Sequence, residues 1–206
     1  QIVHIDTGAA RPLNAWVRGT NSRLPEAVVV RWAQEVSPDF HARFSAFART
    51  YRYILYNSPV RPALDANRVG WFHLPLDAKA MGAAACRLLG EHDFSAFRAA
   101  ECQAKSPVKT LHTAKVLRDG PYIVCEFRAN AFLHHMVRNM VGALVWVGTG
   151  KRPPEWVTEL LAGGDRSHAA PTFAASGLYL SGVDYDARWR LPDDGRIIAP
   201  SPRALR

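Results

Sequence analysis

Apolar and polar positions change period several times along the chain, and each change predicts an element. "QIVHIDT" (1–7) alternates, with Ile2, His4 and Asp6 opposite Val3 and Ile5, as a strand does. "PLNAWVRGTN" (12–21) predicts a short helix with Pro12 near its start and Gly19 near its end. "AVVVRWAQEV" (27–36) is β-branched and predicts a second strand. "HARFSAFARTYRYILYN" (41–57) predicts a third, with Arg49, Tyr51, Tyr53 and Leu55 on one face and Thr50, Arg52, Ile54 and Tyr56 on the other. "PLDAKAMGAAACRLLG" (75–90) predicts a helix capped by Asp77, striped by Met81, Ala85 and Leu88 and stopped at Gly90. "GEHDF" (90–94) reads as a turn after it, and 95–110 as a polar, basic loop. "TLHTAKVLRD" and "YIVCEFRAN" flank Asp119-Gly120, a hairpin signal. The strongest helical stripe, Phe132, Met136, Met140, Leu144 and Val147, spans 131–148. A further helix opens at Pro153-Pro154, runs through Leu161 and closes at Gly163-Gly164; "GLYLSGVDYD" (177–186) is a last strand. The tail beyond Leu191 is rich in Pro and Arg and reads as loose. The sum is α+β, a mainly antiparallel sheet carrying helices on one face. The other face is expected to stay open, and one bearing Arg and Tyr suits RNA.

Composition supports a packed core, at 48% hydrophobic and 21% charged residues. The net charge of +8 comes mostly from arginine, whose planar fork suits phosphate, so an anionic partner fits. Cys86, Cys102 and Cys125 are odd in number and form no CxxC pair, as expected of thiols in a reducing cytosol. No run approaches the ~18 apolar residues of a membrane span. The chain opens on a strand pattern with neither Met nor signal peptide, which leads us to expect a preceding segment.

Candidate chemistry is sparse. His134 and His135 are adjacent; on a helix their side chains diverge by about 100° and cannot share one ion, and no third ligand stands at a diagnostic spacing. Arg138, one turn beyond His134, is either a solvated cation or the partner of a buried carboxylate. His92 and Asp93 are accounted for by the turn, and Asp6 reads as a polar edge residue. GxSxG, P-loop and GxGxxG motifs are absent. Tyr51 and Tyr53 would ordinarily be core rings, but cations are costly to bury unpaired. A strand that alternates rings with arginines is better explained by nucleotides, rings for bases and guanidinium groups for phosphates.

Five segments in order, "FHARFSA", "RTYRYILYN", "LGEHDFSAFR", "NAFLHHMVRNMVG" and "GLYLSGVDY", together resemble the bacterial tRNA pseudouridine synthase A family. The resemblance runs from Gln1 to about Asp186. It implies a two-lobed homodimer built on a continuous antiparallel sheet, working without metal or organic cofactor. The implied reaction isomerises uridine at tRNA positions 38, 39 and 40, in the anticodon stem-loop. By motif, Tyr51 is implied to pack on the target uracil, Arg138 to stand beside the catalytic aspartate and Leu178 to line the pocket. Two segments are implied to touch tRNA: Asp39, Phe40, His41, Ala42 and Arg43, and Glu101, Cys102, Gln103, Ala104 and Lys105. Arg11 and Arg61 join Arg43 and Lys105 as expected phosphate contacts.

One motif has no match. The family's Gly-Arg-Thr-Asp-Ala-Gly-Val-His segment, which holds the nucleophile, precedes the strand that "QIVHIDT" resembles, and Asp6 does not occupy its position. The expectation is therefore a C-terminal portion that is inactive alone: residues 1–36 the remainder of an N-terminal lobe, 37–190 the C-terminal lobe and 191–206 a basic tail. The alternative is a non-catalytic RNA-binding module.

Overall fold

A computed structural model of the chain describes residues 1–192; the expected tail lies, but for its first two residues, outside that range. The elements are α1 (Leu13–Asn21), β1 (Ala46–Asn57), β2 (Gly70–Phe72), α2 (Ala78–Cys86), β3 (Gly90–Asp93), β4 (Val108–Asp119), β5 (Tyr122–Ala129), α3 (Met136–Gly148), α4 (Trp156–Gly163) and β6 (Leu178–Tyr185). The α+β expectation holds. The described strands form one six-stranded sheet, five of them in the order β2-β1-β5-β4-β3 and β6 also pairing with β1, antiparallel except for the β1–β2 pair.

β1 is the axis of the sheet. Along one edge it pairs with β5 from Arg49↔Ala129 to Tyr56↔Tyr122. Its other edge is shared end to end. β6 takes the first half (Ala46↔Tyr185 to Tyr53↔Leu178), and β2 takes the end (Leu55↔Gly70 to Asn57↔Phe72). Gly177 sits at that junction. A Cβ there would lie 2.4 Å from the Ile54 carbonyl oxygen and 2.6 Å from the Gly70 nitrogen. Both obstacles are backbone, so neither can swing away. Gly177→Ala is expected to cost about 1–3 kcal/mol by overpacking, read as a lowered urea midpoint.

Alternation sorts the strand residues. Tyr53 and Leu55 join Ile123, Cys125, Phe127 and Ala129 on the buried face, under Met136, Met140 and Leu144 of α3 and Met81 of α2. Asp77 caps α2 as expected, its carboxylate accepting from the Lys79 and Ala80 amides. The other face is not the free platform that was expected. Arg52 pairs with Glu126 at 2.7 Å and Arg128 with Asp184 at 2.8 Å, while Tyr56, Tyr122 and Tyr179 close over Ile54 and Val69. Cross-strand carboxylates and rings have already engaged the cations and aromatics meant for RNA.

Four other expectations change. Residues 1–7 and 27–36 have the strand pattern but are not strands: neither joins a ladder among the described residues, and Val3, Ile5, Val28 and Val29 stay exposed. Alternation gives a face; a ladder also needs a partner. Asn21 stands in for one at Val30, its amide donating to the Val30 carbonyl (2.8 Å) and accepting from the Val30 N–H (2.7 Å). Gly90 to Asp93 form edge strand β3 on β4 rather than a turn. The β2 strand was not foreseen, because three residues carry no period. Finally, α3 begins at Met136, not Ala131.

Candidate active site

That late helix start reshapes the "FLHHMVRN" segment. His135 precedes the helix with φ 59°, a left-handed conformation unusual for a side-chain-bearing residue. The histidine rings therefore stack, 3.9 Å apart, instead of diverging as on a helix. Among the described residues no group of three or more His, Cys, Asp or Glu is arranged to hold a metal. Burial, then the charges of His134 and Arg138, press the His135 imidazole below its usual value, against a smaller upward pull from Glu101.

Tyr51 is half-buried on the helix-bearing face of β1, its ring edge-on to Phe132 at 5.0 Å. It lines a cavity of ≈ 420 Å³ with His4, His41, Arg43, Arg49 and Tyr185 among its walls. None of the lining residues is acidic. Arg49 is held rigidly, its guanidinium donating to the carbonyls of Arg43 (2.5 Å), Asn130 (3.1 Å) and Ala46 (3.3 Å). Burial raises the Tyr51 phenol and Arg49 pulls it partly back, so the hydroxyl stays protonated at neutral pH.

Tyr53, two residues on, is fully buried, and its hydroxyl donates to the Ala174 carbonyl at 2.8 Å. Arg138 reaches the same place from α3. Its Nε donates to the Phe173 carbonyl at 2.7 Å, and Phe173 packs edge-on to Tyr53 at 5.8 Å. The Arg138 charge lowers the Tyr53 phenol against the dominant upward push of burial. Leu178 lies opposite Tyr53 in the β1–β6 register. Arg138 and Leu178 thus come to Tyr53, while neither is among the residues that line the cavity beside Tyr51.

The expected RNA-contacting residues fall into three groups. His41, Ala42 and Arg43 line the cavity, and the segment is pinned by Tyr185, whose hydroxyl donates to the Ala42 carbonyl at 2.6 Å. Residues 101–105 lie against the entrance to α3: the Cys102 thiol accepts from the His134 N–H, and Arg98 donates to the Cys102 (2.6 Å) and Ala104 (3.1 Å) carbonyls. Arg11 and Arg61 are exposed and are not among the residues that line the cavity; in the chain they precede α1 and follow β1. Within the two segments Phe40 and Cys102 are buried, at 6% and 8% exposure, so their side chains brace the loops from inside. Phe40 packs between Tyr185 and Trp189. Asp39, Glu101, Gln103 and Lys105 are exposed, and Ala104 is partly covered.

Several contributors carried no assigned role in the sequence. Arg49 and Phe132 sit inside the quoted motifs, read there as a strand-face cation and a helix-stripe residue. Phe44, the last residue of "FHARF", lies one position past the expected segment, yet it is 74% exposed, packed at a tilt against His41 at 4.3 Å and approached by the Arg43 guanidinium. His4 also contacts the His41 ring, tilted at 53° with the centroids 4.4 Å apart. A run of three rings at a cationic cavity mouth is a surface for bases.

The sequence profile of the tRNA pseudouridine synthase family matches residues 84–186, half of the chain. Over 193 residues the chain is 62% identical to the tRNA pseudouridine synthase A of Thiobacillus denitrificans, covering 94% of this chain and 74% of that protein. The chain belongs to the tRNA pseudouridine synthase family. It is also 64% identical to the synthase A of Aromatoleum aromaticum over 198 residues, 96% of this chain and 75% of that one. With the synthase A of Dechloromonas aromatica the identity is 60% over 193 residues. The profile match begins inside α2, so the family is shown by β3 to β6 and α3, the elements that carry Arg138 and Leu178, while Tyr51 lies in the part matched by the relatives.

Proposed function

We propose that this chain belongs to an enzyme that isomerises uridine to pseudouridine in tRNA, acting at positions 38, 39 and 40 of the anticodon stem-loop. The observation that carries the reading is the half-buried Tyr51 at a cationic, ring-flanked cavity, in a chain of this family. A target base must leave its helix to be reached, at a cost of a few kcal/mol. The flipped uracil stacks on Tyr51. Arg43 and Arg49 offset the phosphates that approach with it. Arg138 keeps an attacking aspartate ionised, since a neighbouring cation lowers a carboxylate pKa by about 1–3 units. The glycosidic bond breaks, the base turns, and it rejoins the sugar through C5, with the Tyr51 hydroxyl relaying the C5 proton.

Among the described residues the cavity lining carries no carboxylate, and the motif resemblance has the nucleophile on a segment with no match in this chain. The 206-residue chain alone is then expected to give no tritium release from C5-labelled tRNA, while the full-length protein releases it. Turnover by the chain alone would put the nucleophile on a carboxylate of its own, Asp6 or Asp93. Tight tRNA binding without release by the full-length protein would leave an RNA-binding module in place of an enzyme. Homodimerisation rests on the motif resemblance, and the cytoplasmic setting also on the three unpaired cysteines.

Arg11, Arg43, Arg61 and Lys105 are the expected phosphate contacts, and Arg43 and Arg61 lie beyond opposite ends of β1. β1 alone separates the Arg43 end from the Arg61 end by on the order of 35 Å. We expect each to meet phosphate. Replacing any one with Ala should weaken binding evenly across tRNAs and flatten the slope of log K against log salt by about one unit or less. A loss confined to one tRNA, at unchanged slope, would assign that residue to bases instead.

A further inference from the structure

Beyond the groups that meet RNA, one polar network points toward Arg138 without sharing its surface. Asn139, the residue after it on α3, is fully buried, and its Nδ2 donates to the Phe97 carbonyl at 2.7 Å. A carbonyl can only accept, so this bond fixes which way the amide faces and turns Oδ1 outward. There Oδ1 accepts from the Thr172 hydroxyl at 2.7 Å and from Arg166 Nη2 at 3.2 Å. Arg166 also donates to Thr172 Oγ1 (3.1 Å) and to the Ala170 carbonyl (2.8 Å). Gly142 lets α3 approach the same backbone, since a Cβ there would lie 2.3 Å from the Pro171 carbonyl oxygen. Residues 170–172 are thus anchored from three sides.

The next two residues are where the anchoring is used. The Phe173 carbonyl receives Arg138 Nε, the Phe173 N–H donates to the Arg138 carbonyl at 3.3 Å, and the Ala174 carbonyl receives the Tyr53 hydroxyl. The strap itself is at the surface, with Pro171, Thr172, Ala174 and Ala175 exposed, while the bonds to the Phe173 and Ala174 carbonyls are part-buried. Among the described residues Arg138 makes no ion pair, so the Phe173 carbonyl is what aims its guanidinium.

We infer that Arg166, Thr172 and Asn139 are positioning residues for Arg138, acting through the 170–174 strap to fix the carbonyl that orients its guanidinium. The catalytic consequence rests on the proposed role of Arg138 beside the reacting carboxylate; the mechanical link does not. An arginine suits this task because one planar fork reaches the Ala170 carbonyl, Thr172 and Asn139 at once, which a lysine ammonium cannot do in fixed geometry.

The test uses Thr172→Val, which keeps shape and removes the hydroxyl at an exposed site, with Thr172→Ser as the rescue. The first readout is solvent exchange of the Arg138 Nε–H, followed by NMR on isotope-labelled arginine in this chain. We expect Thr172→Val to speed that exchange about tenfold or more and Thr172→Ser to restore it, because a frayed strap frees the donor. Unchanged exchange in Thr172→Val overturns the inference. The second readout is turnover by the full-length enzyme. We expect kcat to fall about tenfold at nearly constant KM for tRNA, as small misplacements of an aligned group do. In an Arg138→Lys background the same substitution should cost almost nothing further. An undiminished additional loss there would show a general loosening instead of a link through Arg138, and would also overturn the inference. Faster exchange with unaltered turnover would keep the link and remove Arg138 from the reaction, a failure of the proposed function alone.

Discussion

Tyr51→Phe in the full-length enzyme is expected to keep tRNA affinity and lose turnover by about 10²-fold or more, if the hydroxyl relays the C5 proton. The ring keeps its edge-on seat against Phe132, so the stacking surface survives. Only the hydroxyl goes. Because burial raises that phenol, with Arg49 only partly offsetting it, the wild-type pH–rate profile should show no Tyr51 limb below pH 10.0, its unperturbed value. Tyr51→Ala removes the ring as well and should cost a further ~1–3 kcal/mol of base placement. Single-turnover rates and tRNA binding, measured side by side, separate the two effects. Full turnover in Tyr51→Phe would leave stacking as the sole role, and full turnover in Tyr51→Ala would remove Tyr51 from the site.

Tyr53→Ala is expected to destabilise the fold by about 3–5 kcal/mol, the range for deleting a large buried aromatic. The ring is wholly enclosed, hydrogen-bonded to the strap and closely flanked by the Gly70 and Gly177 backbones. Tyr51→Ala, half-buried at a cavity, should cost clearly less in the same urea titration. The Tyr53 phenol is pushed well above its unperturbed 10.0, chiefly by burial, so the folded state favours its neutral form. Its contribution is then complete below pH 10.0 and declines above it, as the unfolded chain ionises first. A Tyr53→Ala variant as stable as wild type would return Tyr53 to the list of pocket residues.

Where sequence reasoning succeeded, the signal was local. Asp77 caps α2 because its side chain reaches amides two and three residues on, and the Asp119-Gly120 turn forms because Gly120 takes φ 57°. The faces of β1 follow from a period of two. Where it failed, the deciding partner was distant in sequence. Nothing in "QIVHIDT" shows that it joins no ladder among the described strands. Nothing in Arg52 or Arg128 foretells Glu126 and Asp184 across the sheet. The α3 stripe continues back to Phe132, but the backbone turns left-handed at His135 and ends the helix there. Alternation placed Tyr51 and Tyr53 together without separating them; the structure shows Tyr53 wholly buried in the core and Tyr51 only half-buried.

The shared edge of β1 also sets an order of events during synthesis. β5 follows β1 by fewer than eighty residues, whereas Tyr185 leaves the ribosome well over a hundred residues after Asn57. At about 5–20 residues per second, β1 waits roughly 6–25 s with its first half unpaired on that side. Contacts of such long sequence separation are slow to form because their loops must close first. The strap at 170–174 and Leu178 arrive with the same late segment, so Arg138 and Tyr53 stay without their carbonyl partners until β6 docks. The nascent protein therefore passes through a state with its helices in place and its site unassembled, and an open strand edge in that interval is the natural point for a chaperone to hold or for another nascent chain to pair in error.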